Sequence, residues 1–217
     1  MESLFYIFAC ITLLVTIFSI TSRAHLLINL MEGSTMKYCL TLVFMMIFLM
    51  SCSVIDKDAQ KLFSNRTGPF EVTVYPVHVV ISETTFADTS LQKELVQFLN
   101  DSGLAKAVAS GKDVDIPFQW GANQAKMYRR SAQAFAAAVA LDKPATSYAL
   151  LVETLSMGAE NNMGGVHFYL VDTTGKVVAG TLSNSHWEEF KSISPQDRKA
   201  GMQVAFSLLK TLTIETS

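Results

Sequence analysis

Two apolar runs near the amino terminus limit which part of this chain can fold as a water-soluble domain. Residues 4–20 and 38–50 carry no charged side chain, and the second run ends in Ser51 and Cys52 before a polar stretch. The 13 residues from Tyr38 to Met50 are too few to cross a bilayer as a helix, which needs about 20 residues. The part of the chain that must build a globular core therefore begins near residue 52.

Residues 36–51 have the layout of a secretory signal peptide. The segment opens with a Met that can serve as a start, carries one cation in Lys37, and continues through the apolar run to a small residue before a cysteine. Leu49-Met50-Ser51-Cys52 resembles the lipobox of bacterial lipoproteins, in which a dedicated signal peptidase cuts before a cysteine that carries a diacylglyceryl thioether. Leu49 and Ser51 match the family pattern, whereas Met50 departs from it.

This resemblance implies both an anchor and a compartment. The peptidase would recognise Leu49, Met50 and Ser51, and Cys52 would be the lipid attachment site, so that acyl chains such as palmitate tie residues 52–217 to membrane lipid. Lipoproteins retained at the inner membrane commonly carry Asp after the modified cysteine. Here that position is Ser53, which implies the outer membrane, facing the periplasm. The competing interpretation is a membrane helix that happens to end in cysteine.

Residues 1–35 precede this signal peptide without an evident use. The codons of Met31, Glu32 and Gly33 can contain GGAGG, a purine run typical of a ribosome-binding site, at a suitable distance from the Met36 codon. We therefore expect translation to start at Met36, with residues 1–35 an over-extended reading of the gene. An extra membrane segment is the alternative interpretation of this region.

The composition after residue 51 differs from that of the whole chain. All three Cys and six of the ten Met lie at or before Cys52. The exported part therefore has no disulfide and no cysteine metal site, and its core must hold the fold alone. It carries 15 Lys and Arg against 17 Asp and Glu, with no basic patch of the kind that binds nucleic acid. We expect no cofactor and no nucleic-acid partner.

Hydrophobic periodicity and turn residues predict the elements of the exported part. Residues 52–68 are polar and predict a tether, with a short helix around Asp58–Phe63. The domain then occupies residues 69–217. Pro76 predicts a bulge in its first strand or exposure at a sheet edge, and Asp88, Gly103 and Ser194 are predicted to begin or end helices. Strands are predicted at 70–82, 105–110, 147–157, 166–172 and 176–183, and helices at 88–102, 122–141 and 194–212.

The element order predicts the fold class. The order β-α-β-α-β-β-β-α, with a tight hairpin at Asp172–Gly175, predicts a single α/β sandwich domain. We expect a mixed sheet of about five strands and three main helices. The Pro-bearing strand, Tyr148–Glu153, Phe168–Val178 and the long terminal helix resemble a periplasmic α/β domain. That domain occurs in outer-membrane lipoproteins that activate penicillin-binding proteins, in the curli secretion channel lipoprotein and in the Tol translocation protein.

The second resemblance implies a protein–protein adaptor rather than a catalyst, and it transfers no functional residue. From Cys52 onward the sequence contains no hydrolase, phosphate-binding or metalloprotease motif. We therefore expect a non-catalytic binding or adaptor domain, engaging an envelope protein or copies of itself. The alternative is a periplasmic, hydrolase-like enzyme. In strand register, His78, Glu153 and His167 could share one sheet face as a Zn²⁺ or acid–base cluster, or be separate hydrogen-bonded residues.

Two further segments are candidates for a partner interface. The Gly- and Asn-rich stretch 158–165 predicts a hairpin tip with an exposed Met163, although a plain connecting loop fits it too. Trp187 and Phe190 bracket two glutamates just after the last predicted strand, and aromatic residues of this kind are enriched at interaction hot spots. The competing interpretation is that these aromatics close one end of the core.

Overall fold

The computed structural model describes residues 54–81, 84–116, 123–156 and 163–214. The predicted lipobox, Cys52 and the upstream segments lie outside these residues. The described part from Val54 onward belongs to one compact unit. Within it, no helix has the length and apolarity needed to cross a membrane.

Seven strands and five helices make up the described residues. The helices are α1 (Lys57–Ser64), α2 (Thr89–Asp101), α3 (Gln124–Asp142), α4 (Glu188–Ile193) and α5 (Arg198–Ile214). The strands are β1 (Phe70–Val74), β2 (Val77–Ile81), β3 (Thr84–Asp88), β4 (Ala105–Ala109), β5 (Tyr148–Ser156), β6 (Met163–Asp172) and β7 (Val177–Asn184). The predicted α/β class is confirmed, but the sheet has two strands more than expected.

All seven strands join one mixed sheet around β5. One edge of β5 pairs antiparallel with β6, which pairs in turn with β7. The other edge is shared, because β1 pairs in parallel with the first half of β5 and β2 with the second half. Beyond these two strands, β4 lies parallel to β1 and β3 lies antiparallel to β2.

The predicted bulge at Pro76 explains why one expected strand became two. Val74 pairs with Leu150 and His78 with Glu153, so the β1–β2 side carries one residue more than β5 over this interval. A residue inserted in this way bends a strand and shifts which side chains face each layer. The strand β3 was missed because its side chains are mostly exposed and show no alternation of apolar and polar residues.

Helices cover both faces of the sheet. On one face Leu150, Val152 and Phe168 share a core with α2, α4 and α5. On the opposite face Ala149, Leu151 and Tyr169 pack against α3. This second layer, called the α3 layer below, also contains the predicted polar residues, because Glu153 and His167 continue the same alternation along β5 and β6.

Helix ends follow local hydrogen bonding. The Asp88 carboxylate accepts from the backbone N–H groups of Ser90 and Leu91 at the start of α2, and Gly103 after its end has a φ of 70°, as predicted. The predicted cap at Ser194 is wrong. Ser194 adopts a left-handed conformation and ends α4, while the Asp197 carboxylate accepts from Ala200 N–H at the start of α5.

Much of the predicted tether belongs to the folded unit. The helix expected around Asp58–Phe63 is confirmed as α1, but it is packed rather than free. Phe63 is 3% exposed and meets the rings of Phe70 and Tyr148 edge-on at 5.3 and 5.2 Å. The polar composition of residues 52–68 hid this packing, because a single buried aromatic and one alanine supply the contact.

Candidate functional site

A row of buried polar side chains crosses the middle of the sheet in the α3 layer. His78 on β2 lies opposite Glu153 on β5, and Glu153 lies opposite His167 on β6. Residues paired in register on adjacent strands point to the same face of a sheet. The prediction that these three residues share one face is therefore confirmed, and all three are buried.

Glu153 is the centre of this row. Its Oε2 accepts a hydrogen bond from the Tyr169 hydroxyl at 2.6 Å and lies 3.3 Å from His167 Nδ1. Burial acts to raise the pKa of Glu153, but the hydrogen bonds from His167 and Tyr169 and the attraction of His167 and His78 outweigh it and hold the pKa below its ordinary value. Glu153 is therefore a carboxylate at neutral pH, which can only accept, so His167 Nδ1 carries a proton and donates to it.

Side chains of α3 and β7 enclose the Nε2 side of the His167 ring. Its Nε2 lies 3.2 Å from the side-chain nitrogen of Gln124, which donates to the ring, and the Gln124 carbonyl accepts from Asn184. Tyr128 covers the imidazole with its ring edge at 5.6 Å between centroids. Both ring nitrogens of His167 therefore have partners, and its side chain is 0% exposed.

The Tyr169 hydroxyl completes the network at Glu153. Burial, followed by the negative charge of Glu153, raises the pKa of Tyr169 well above its ordinary value, and burial also raises the pKa of Tyr128. Both phenols therefore keep their protons at physiological pH. The Tyr169 hydroxyl donates to Glu153, whereas the Tyr128 hydroxyl has no hydrogen-bond partner in the described structure. Neither supplies a phenolate base.

His78 makes a different connection. Its Nε2 lies 2.9 Å from Oδ1 of Asp113, a residue whose side chain is 54% exposed. The same carboxylate oxygen accepts from the backbone N–H of Val114. His78 thus pins the segment 111–116 onto the sheet, while its Nδ1 has no hydrogen-bond partner in the described structure.

This arrangement differs from a catalytic or metal site in two respects. Across the described ranges, no group of three or more His, Cys, Asp or Glu side chains is placed to hold a metal ion. A histidine that serves as general base must also reach a substrate proton, whereas His167 is enclosed and bonded at both nitrogens. The geometry is that of a buried polar network inside a core, in which both nitrogens of His167 have partners while His78 Nδ1 and the Tyr128 hydroxyl have none in the described structure.

A surface pocket lies nearer the end of α3. It has a volume of about 410 Å³ and is lined by Tyr75, Lys112, Asp113, Val114, Asp115, Ala138, Leu141 and Asp142. The Lys112 ammonium is paired with Asp142, and the Tyr75 hydroxyl donates to the same carboxylate at 2.5 Å. Within the pocket, Lys112 and Asp142 are thus paired with one another, and Glu153 and His167 do not line it.

The three predicted interface residues differ in exposure and packing. Trp187 is 45% exposed and precedes α4. Phe190, one turn later, is buried in the core, so it anchors α4 instead of facing solvent. The predicted exposure of Met163 is wrong, because Met163 is the first residue of β6 and packs against Gly201 of α5. Residues 158–162 of the predicted tip lie outside the described residues.

Sequence reasoning missed the members of the network that come from other elements. Gln124, Tyr128 and Asn184 approach His167 only because α3 lies across β6 and β7. No motif marks these positions. Tyr169 carried a usable signal, since it sits two residues after His167 on the same strand and so faces the same layer.

The fold and the site together define a mixed α/β domain whose central polar residues are structural in geometry.

No protein-family model matches this sequence, and no curated protein matches it significantly. Two solved structures show a limited likeness. The LpoB C-terminal domain from Salmonella enterica is 16% identical, with 58% of this chain and 93% of that chain covered and a TM-score of 0.32. A PelC variant dodecamer from Paraburkholderia phytofirmans is 18% identical, with 70% and 94% covered and a TM-score of 0.34. Similarity at this level does not define a function.

Proposed function

We propose that residues 52–217 form a lipid-anchored cell-envelope protein that acts in the periplasm as a non-catalytic binding or adaptor domain. The observation that carries the anchor is the coincidence of an apolar run, a small residue and Cys52 at one position. Ser53 supports the outer membrane as the site of attachment, in keeping with the lipoprotein pattern.

The closed polar network supports a binding role over catalysis. The one constellation that the sequence offers for acid–base chemistry places His167 beyond the reach of solvent, with Gln124 and Glu153 at its two nitrogens. A catalytic imidazole keeps one nitrogen available to the reacting group. The network instead fixes α3 against β6 and β7 of the sheet, as expected of a structural scaffold.

The two ends of the sheet suggest where a partner would bind. The described chain begins beside β7, where Asp56 N–H donates to Val177 O, at the end of the sheet where Tyr148 pairs with Asp172. At the opposite end β2 and β5 terminate side by side, and Trp187 N–H donates to Asn184 O. The nine residues of β5 separate these ends by about 27 Å.

We assign the Trp187 end to partner binding, because an exposed Trp is typical of interaction hot spots.

Site-specific photo-crosslinking in intact cells tests this role. A photoreactive phenylalanine analogue replaces Trp187 in one strain and Leu141, an 86% exposed residue of α3 near the Gly175 hairpin at the opposite end, in a control strain. We expect one discrete crosslinked species from position 187, either a homodimer or a complex with an envelope protein, and none from position 141. Equal patterns from both positions would contradict the assignment of the Trp187 end.

A further inference from the structure

The folded domain begins only a few residues after the proposed lipid attachment site. Val54 and Ile55 already pack against the α3 layer. Asp56 is held twice, since its backbone N–H donates to Val177 O at 2.9 Å and its carboxylate lies 3.6 Å from the Lys176 ammonium. Its other carboxylate oxygen caps α1 by accepting from Ala59 N–H.

Covalent reach then limits how far the acyl chains can lie from the domain. An extended chain advances at most about 3.6 Å per residue, so the Cα atom of Cys52 lies within about 7 Å of that of Val54. A tether of this length cannot hold the domain away from the bilayer. Whatever surface the domain presents beside Val54 must meet the lipid headgroups.

The surface presented there is the outer side of α1. Ala59 and Phe63 face the core, whereas the exposed residues Lys57, Asp58, Lys61 and Leu62 face outward. Leu62 is 74% exposed, so its aliphatic side chain is available to an apolar neighbour. Lysines beside an exposed leucine are the combination found on helices that lie in a membrane interface, where the ammonium groups reach the phosphates and the apolar side chain enters the headgroup region.

We propose that α1 lies against the phospholipid surface that holds the acyl chains, with Leu62 inserted at headgroup depth and Lys57 and Lys61 toward lipid phosphates. This inference rests on the proposed acylation of Cys52. It commits the domain to one orientation, with the Trp187 end directed away from the membrane. A compact domain of this size spans roughly 40 Å, so a partner must come within that distance of the same bilayer.

Depth-dependent fluorescence quenching tests the orientation. The acylated mature protein carries Leu62→Cys labelled with an environment-sensitive fluorophore, and the thioether at Cys52 leaves no other reactive thiol in residues 52–217. The matched control is Lys126→Cys, exposed in the first turn of α3 at the Trp187 end. Both are placed in vesicles of phosphatidylethanolamine and phosphatidylglycerol that contain a lipid with a nitroxide on its headgroup.

Quenching at position 62 should exceed that at position 126 by at least about threefold, since interfacial side chains lie within 5–10 Å of the headgroup boundary. Equal quenching at the two positions, in protein whose mass shows the acyl chains, overturns the orientation and leaves the anchor standing. Protein that carries no acyl chains overturns both proposals. Leu62→Cys changes an exposed side chain, and a circular dichroism spectrum like that of the wild type confirms that the variant is folded.

Discussion

At the scale of single residues, Glu153 has the most demanding environment in the described structure. It holds a negative charge in the α3 layer, and two donors, the Tyr169 hydroxyl and His167 Nδ1–H, compensate for the water it has lost. A buried carboxylate without such partners would instead take up a proton. The network therefore stabilises the domain only while its members remain complementary.

Glu153→Gln keeps the size of this side chain and removes its charge. The amide offers one acceptor where two donors converge, and hydrogen bonds to a charged group are worth about 1.5–3 kcal/mol. We expect the free energy of unfolding to fall by about 2 kcal/mol, measured by urea denaturation. Glu71→Gln makes the same chemical change at an exposed position of β1 and should change it by less than about 0.5 kcal/mol. Equal effects at the two positions would contradict the role given to the network.

The same carboxylate gives stability a pH dependence. The pKa of Glu153 is lower in the folded protein than its ordinary value of 4.5, so its contribution is complete above pH 4.5 and is lost as the pH falls through the folded pKa. Denaturation at a series of pH values should therefore show a steeper acid loss of stability in the wild type than in Glu153→Gln. Asp56 and Asp88, whose pKa values are also lowered by their hydrogen bonds, remain in both proteins. If the wild type and Glu153→Gln lost stability equally as the pH falls, Glu153 would not contribute to the pH dependence.

At the scale of elements, local signals predicted most of the structure. The Asp88 cap and the glycine of the Asp172–Gly175 hairpin both act within a few residues of chain. The β1–β2 break at Pro76 followed from the missing N–H. What the sequence could not supply was contact between distant segments, such as Phe63 against Tyr148.

The docking of α1 gives a paired test at neighbouring positions. Phe63→Ala removes a ring that packs edge-on against two others and should lower the free energy of unfolding by about 3–5 kcal/mol. Leu62→Ala removes an outward side chain and should cost less than about 0.5 kcal/mol. Urea denaturation of both variants measures the difference. If Phe63→Ala were as harmless as Leu62→Ala, α1 would be a tether after all.

For the candidate site, the sequence predicted that three polar residues share one face of the sheet. Their contacts with other elements depend on the tertiary fold. Strand alternation alone placed His78, Glu153 and His167 on one face. It could not show that Gln124 would close His167, because that contact depends on where α3 crosses β6. The enclosure of these residues is therefore a tertiary effect. It is this enclosure that distinguishes a structural polar network from a catalytic centre.

As a whole molecule, the domain has two unlike ends. One end carries α1, Leu62 and the start of the described chain; the other carries Trp187 and the carboxyl end of β5. The proposed link at the first end and the exposed Trp187 at the second suit the proposed role of holding a partner close to a membrane. That role depends on the modification of one sulfur atom.

Mass spectrometry of the protein purified from its own cells tests that modification most directly. We expect the amino-terminal peptide to begin at Cys52 and to carry a diacylglyceryl group on sulfur, with residues 1–51 absent. A peptide that runs through Leu49, Met50 and Ser51 into Cys52 with an unmodified thiol would contradict it.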